Sequence, residues 1–200
     1  MTQTQIQTKV TIGVPAGAIP LPVNEDGDMT PWARSIASTR LPADATAEDV
    51  QRFADMLLGC TAESRDRGPK IMALAFCPDP RIGELARFEV ADLHPSPRWP
   101  TLELKQLADF FAGPIHPAAL VAPQVHYTDL PAGPAVRIRQ QYVTAVGEDR
   151  TGRIMETVVY AIRPPETGAA VVLSVAWHAL FYGERLMELA DRLADSVRVV

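Results

Sequence analysis

Two arginines one residue apart make the most regular chemical pattern in this 200-residue sequence. In LPAGPAVRIRQQYV, from Leu130 to Val143, Arg137, Arg139 and Gln141 alternate with Val136, Ile138 and Gln140. Side chains of a strand alternate between its faces, so both guanidiniums share one face. There they can grip a carboxylate or phosphate of a ligand or partner. The plainer meaning is a solvated sheet face turned away from a helix-covered core. Glu156 is then the expected cross-strand partner, in an exposed pair that contributes about 0–1 kcal/mol.

Other residues with chemical potential are scattered. His126 and Tyr127 are neighbours in a strand-like run, so they point to opposite faces, and His126 shares its face with Gln124 and Thr128. A neutral imidazole there could serve as a general base, or simply hydrogen-bond at the surface. Trp99 lies in the proline-rich HPSPRWPT beside His94 and Arg98, as a partner anchor or as a plug for the core edge. The four histidines, His94, His116, His126 and His178, are scattered over different elements, and none has a second His at helical spacing. No HExxH, GxSxG, phosphate-binding GxxxxGK[ST] or GxGxxG run occurs. Arg137, Arg139, Trp99 and His126 are therefore the candidate binding residues, with no catalytic set, no metal site and no cofactor implied.

Composition narrows the classes. A net charge of −5 offers no basic field for nucleic acid or an anionic membrane. Cys60 and Cys77 form no CxxC pair, and the opening MTQTQIQTKV lacks a signal-peptide core. No apolar run approaches the ~20 residues of a membrane span. A cytoplasmic chain with reduced thiols is the expectation. Proline, 18 of 200 residues, brackets the periodic segments and reads as loop punctuation.

The elements that must position these residues follow from periodicity. Gln5 to Val14 alternates as a half-buried strand, and Thr30-Pro31-Trp32 opens a short helix. Thr46, with Glu48 and Asp49 after it, caps a longer helix whose stripe is Val50, Phe53, Leu57 and Cys60, closed by Gly68-Pro69. Lys70–Cys77 and Gly83–Leu93 read as strands, and Leu104, Leu107 and Phe111 as one side of a helix. Four further strands, Ala122–Thr128, Ala135–Ala145, Gly152–Arg163 and Ala169–His178, are joined by turn-forming LPAGP, GEDRT and PPETG. The last has apolar residues on both faces, as in a central strand buried on both sides or one whose second face is used for binding. A terminal helix from about Leu180 to Ser196 carries Phe181, Leu186, Leu189 and Leu193 on one stripe. The sum is one α+β domain over residues 1–200: an antiparallel sheet of six to seven strands, covered on one face by helices and closed by a C-terminal helix.

The runs VTIGVPAGAIPLP, GPAVRIRQQYV, AAVVLSVAWHA and ERLMELADRLADSVRVV, in that order, resemble the PsbP-like fold family. That family includes photosystem extrinsic subunits, a Ran-binding nuclear import factor and actinobacterial secreted lipoproteins. Its members mostly bind proteins or assist assembly, so the resemblance implies binding rather than chemistry, and it carries no fixed catalytic residues across.

Three functional readings follow. The first is a non-catalytic interaction or accessory protein with a protein partner, neither binding nucleic acid nor inserting into a membrane. The second is a small-molecule binder or cofactor-free enzyme in which sheet and terminal helix enclose a pocket, with His126, Tyr142, Tyr160 and His178 as its polar groups. The third is a structural subunit or homo-oligomer pairing through sheet edges.

Overall fold

The computed structural model describes residues 9–97, 99–113, 119–144, 152–165 and 167–199. Residues 5–8 and Ala145 of the expected strands, together with Arg98 and His116, fall outside them. In chain order the elements are β1 (Val10–Thr11), β2 (Ala18–Leu21), α1 (Thr30–Arg40), α2 (Ala47–Asp66), β3 (Met72–Phe76), β4 (Ala86–Leu93) and α3 (Leu104–Ala112). Then come β5 (Gln124–Leu130), β6 (Gly133–Thr144), β7 (Arg153–Ile162), β8 (Ala170–Trp177), α4 (Gly183–Ser196) and β9 (Arg198–Val199).

Seven strands form one antiparallel sheet in the order β2-β3-β4-β8-β7-β6-β5. It is two meanders joined where β4 pairs with β8. The β5–β6 hairpin turns at Gly133, whose φ of +136° suits glycine and whose missing side chain lets the Arg163 carbonyl approach. A small ribbon pairs β1 with β9, so the two ends of the described chain meet.

The helices follow from local signals. Thr46 and Asp49 cap α2 reciprocally: Asp49 N donates to Thr46 Oγ1 at 3.1 Å, and Thr46 N donates to Asp49 Oδ2 at 3.0 Å. Pro31 stands at the start of α1. The terminal helix begins later than its apolar stripe suggests, because Leu180–Tyr182 form a separate 3-10 turn. Phe181 on that turn is 94% exposed instead of lying on the core stripe.

The α+β class, the seven-stranded sheet and the closing helix match the sequence reading, but helices pack against both faces rather than one. Leu186, Met187, Ala190 and Leu193 of α4 close one face over Phe88, Val90, Val158 and Leu173. On the other face, Phe53, Ala54 and Leu57 of α2, with Ala33 and Ala37 of α1, cover Ile19, Ala73 and Ala75 at the β2–β3 end. There α3 lays Leu107 and Ala108 over Val136, Ile138, Ala161 and Ala170. The two-sided apolar pattern of β8 reflects this arrangement: Val171 and Leu173 serve one layer, Ala170 the other.

Candidate functional site

The second helical layer is incomplete, and its gap is a broad concavity. Between α2 and α3 a cleft of about 910 Å³ opens directly onto the sheet. Two hollows of about 490 and 510 Å³, beside Pro42 and Pro78, are bounded by loop and helix surfaces instead. Strand pairing explains the floor of the cleft. Arg87 of β4 opposes Ala176 of β8, which opposes Thr157 of β7, which opposes Gln140 of β6. One register step along, Glu89, Ser174 and Val159 repeat the order. Small side chains thus run down the middle, and longer polar ones stand on the banks. Thr157, Val159, Ser174 and Ala176 are only half-buried although their strands are central.

The bank beneath α2 is a charged seam. Arg87, 6% exposed, donates through Nη1 to the Cys60 carbonyl at 2.7 Å and through Nη2 to Glu84 Oε2 at 2.7 Å. Arg67 Nε lies 3.2 Å from Glu89 Oε1, and Lys70 Nζ lies 3.9 Å from Glu89 Oε2. Burial alone would raise the Glu89 carboxyl, but hydrogen bonds from Arg67 and Ser64 and the charges of Arg67 and Lys70 hold it below its ordinary range. On the far bank stand Gln140, Tyr142 and Phe111, with Met155 and His178 at one end. Burial pushes the Tyr142 phenol up, while Arg67 opposes that shift. His178 Nδ1 lies 3.1 Å from the Ile154 carbonyl, which leaves Nε2 as the outward nitrogen.

The arginines of the opening pattern are elsewhere. Arg137 and Arg139 face α4, not solvent, which corrects the expected wet face turned away from the helix-covered core. The register sets this: Arg137 opposes Tyr160, whose ring belongs to the α4 layer. Arg137 reaches a carboxylate on α4, whereas Arg139 meets one on the neighbouring strand β7. Arg137 Nε donates to Tyr160 Oη at 3.3 Å and lies 3.2 Å from Asp191 Oδ1. Arg139 pairs with Glu156, the partner expected from sequence, but Glu156 is 2% exposed, so the pair is not a surface one. Burial, then the hydrogen bond Tyr160 donates to Asp191, pushes the Tyr160 phenol well above its ordinary value.

His126 opposes Arg137 on the outer strand and is exposed, with Tyr127 on the other face as expected. Trp99 is half-buried against α3, its ring 4.6 Å from that of Phe110, so it acts as a plug at the core edge. The four candidates therefore do not converge: three share the α4 side of the sheet and Trp99 packs on the other. Of the polar groups considered for a pocket, the cleft brings together Tyr142 and His178 and leaves out His126 and Tyr160. Beneath the terminal helix, Leu186, Met187, Ala190 and Leu193 are buried against the sheet, and the hollow beside Pro78 lies at the edge of that layer. The cleft residues Thr157, Val159, Ser174 and Ala176 escaped sequence reading, although the second face of β8 hinted at them.

Cys60 and Cys77 are unbridged and buried. Burial first, then the charge of Glu84, pushes the Cys77 thiol up to about 12 and raises Cys60 as well, which suppresses the thiolate. His94 Nε2 contacts Asp92 Oδ2 at 2.7 Å across an i−2 spacing at the exposed end of β4. Among the described residues no group of three or more metal-binding side chains gathers, and no helix is long and apolar enough to cross a membrane.

The chain matches no family model and no curated protein. Among solved structures its fold is similar to that of LpqN from Mycobacterium tuberculosis, described as involved in cell envelope biogenesis. The TM-score is 0.53 at 12% sequence identity, over 97% of this chain and 84% of LpqN. At that identity the likeness extends to the fold alone.

Two outcomes follow from this geometry. Arg139→Ala strands the buried Glu156 carboxylate and is expected to cost about 3–5 kcal/mol in urea unfolding. A loss within the range of about 0–1 kcal/mol, as for a solvated pair, would contradict the burial described. Glu89 titrates lower in the folded chain than its ordinary 4.5, so its contribution to stability is present above that value and is lost as pH falls through the folded one. The stability gap between wild type and Glu89→Gln should accordingly be widest near neutral pH and close on acidification; a gap independent of pH would count against the seam.

Proposed function

We propose that the protein is a non-catalytic accessory protein that works by binding, and that its ligand sits in the cleft between α2 and α3. What supports this reading most is the half-exposed run Thr157, Val159, Ser174 and Ala176, on central strands of a sheet whose opposite face is packed shut. Such positions are normally covered, and open apolar surface there forgoes burial that a ligand restores. A guest with an apolar body would lie on Val159 and Ala176. Its hydrogen-bonding groups would reach Thr157 and Ser174 on the floor and Gln140 and Arg67 on the two banks.

Two further observations favour binding. Among the described residues, the charged groups of the α2 bank are satisfied by one another, which suits a shaped wall better than a reactive group. LpqN, the solved structure of similar fold, is described as involved in cell envelope biogenesis, which is compatible with an accessory role here. The PsbP-like resemblance in the sequence implies the same kind of role. Docking through Arg137 and Arg139 fits less well, since their guanidiniums are engaged with Asp191 and Glu156.

Titration with anilinonaphthalene sulfonate, a dye with an apolar body and an anionic group, tests the seat. Wild type should bind it saturably, and Val159→Trp, which fills the trough, should weaken binding about tenfold or more, a change of ~1.4 kcal/mol. Arg137→Gln should leave it unchanged. Equal binding by wild type and a folded Val159→Trp chain would remove the cleft as the seat.

A further inference from the structure

The two outer strands of the sheet are built differently. β2 is four residues long and contains Pro20, and arginines occupy nearby carbonyls. Arg40 Nη2 donates to Ala18 O at 3.2 Å, and Arg65 Nη2 donates to Pro22 O at 2.6 Å just past the strand. Shortness, proline and occupied carbonyls are devices that keep a native sheet edge from pairing. Among the described residues β5 carries none of them. Gln124–Leu130 is seven residues without Pro, Gly, Lys or Arg, and Pro123 stands before the strand rather than in it. Residues 124–127 are all exposed.

Apolar side chains gather along the same edge. Among the described residues, ten large apolar side chains are exposed, and four of them lie on β5 or in the segment just before it: Leu120, Val121, Val125 and Tyr127. Such a strip beside an unprotected strand marks an interaction surface rather than scattered surface residues.

We infer that a second copy of this chain pairs with β5, antiparallel and across a two-fold axis, joining the two sheets into one. Charge selects this occupant over a foreign strand. The only charged residue of β5 is Asp129, near one end, so a two-fold sets the two Asp129 side chains at opposite ends of the paired strands. Lys105 of the bordering α3, within electrostatic reach of Tyr127, is paired with Asp109 at 2.7 Å, so the edge carries little net charge to draw an acidic or basic partner or to repel its own copy. Antiparallel edges related by a two-fold are also self-complementary in donors and acceptors. A stable interface takes about 800 Å² from each partner, more than a strand edge alone offers. The strip of Leu120, Val121, Val125 and Tyr127 supplies apolar area beside the ladder. The cleft lies on the inner strands, so the dimer leaves it open and the inference stands apart from the proposed ligand seat.

Sedimentation velocity and amide hydrogen exchange on the full chain, over a series of concentrations, test it. Wild type should dimerise as concentration rises, and amides of residues 124–130 should lose protection on dilution. Tyr127→Lys, which sets like charges near one another across the axis, should abolish the dimer while leaving circular dichroism unchanged. The inference is overturned by a wild-type chain that stays monomeric throughout, including one that instead holds a strand of another protein on β5. It is overturned equally by a dimer whose β5 exchange ignores dilution, or by one that survives in folded Tyr127→Lys. Should that variant fail to fold, wild-type exchange decides alone.

Discussion

Arg87 and Glu89 rise from the same face of β4, and what they require determines where α2 can lie. A buried guanidinium and a buried carboxylate each need charged or hydrogen-bonding partners close by. Arg87 finds Glu84, Glu63, Ser64 and the Cys60 carbonyl, and Glu89 finds Arg67 and Lys70. Most of these partners sit on α2 or in the segment just after it. The helix is therefore pinned over β3 and the near side of β4, and does not slide across to β8. With α3 seated on β6 and β7 by its own apolar face, the middle of the sheet stays uncovered. The cleft is thus a consequence of where charge was placed on one strand.

The opposite face obeys a different rule. There the strands present Phe88, Val90, Val158, Leu173 and Val175, and α4 meets them with leucine, methionine and alanine. Dispersion and burial hold that layer together. Its polar residues, Arg137, Arg139, Tyr160 and Glu156, lie on β6 and β7, where Arg139 meets Glu156 between strands and Arg137 and Tyr160 reach Asp191 on α4. One sheet therefore carries a sealed face that supplies stability and an open face that supplies a seat. β8, apolar on both sides, belongs to both.

Much of this organisation is legible in the sequence, and the exceptions have physical causes. Thr46 and Asp49 announce α2 because capping is local chemistry. Alternation in 122–178 announces the β5–β8 meander, and even the Arg139–Glu156 pair, because cross-strand neighbours follow from hairpin order. Which face the helices would cover is not local. Val136 and Ile138 look like the only buried side of β6, yet Arg137 and Arg139 also lie beneath a helix, their length carrying the charge to its rim. The short β2 is hidden by Pro20, and the β1–β9 ribbon joins segments at opposite ends of the chain, beyond the reach of any window. The cleft itself could not be read, since small half-polar residues such as Ser174 and Ala176 have no signature until the helices around them are placed.

The central claim is that the open face of the sheet is where this protein binds. Adding a soluble extract of the native host to isotope-labelled protein, and following amide chemical shifts, tests that claim most directly. The account predicts shifts concentrated at Thr157, Val159, Ser174 and Ala176 and along the Gln140–Tyr142 bank, with α4 unaffected. Shifts centred on α4 and the Arg137 side of the sheet, with the cleft silent, would contradict it.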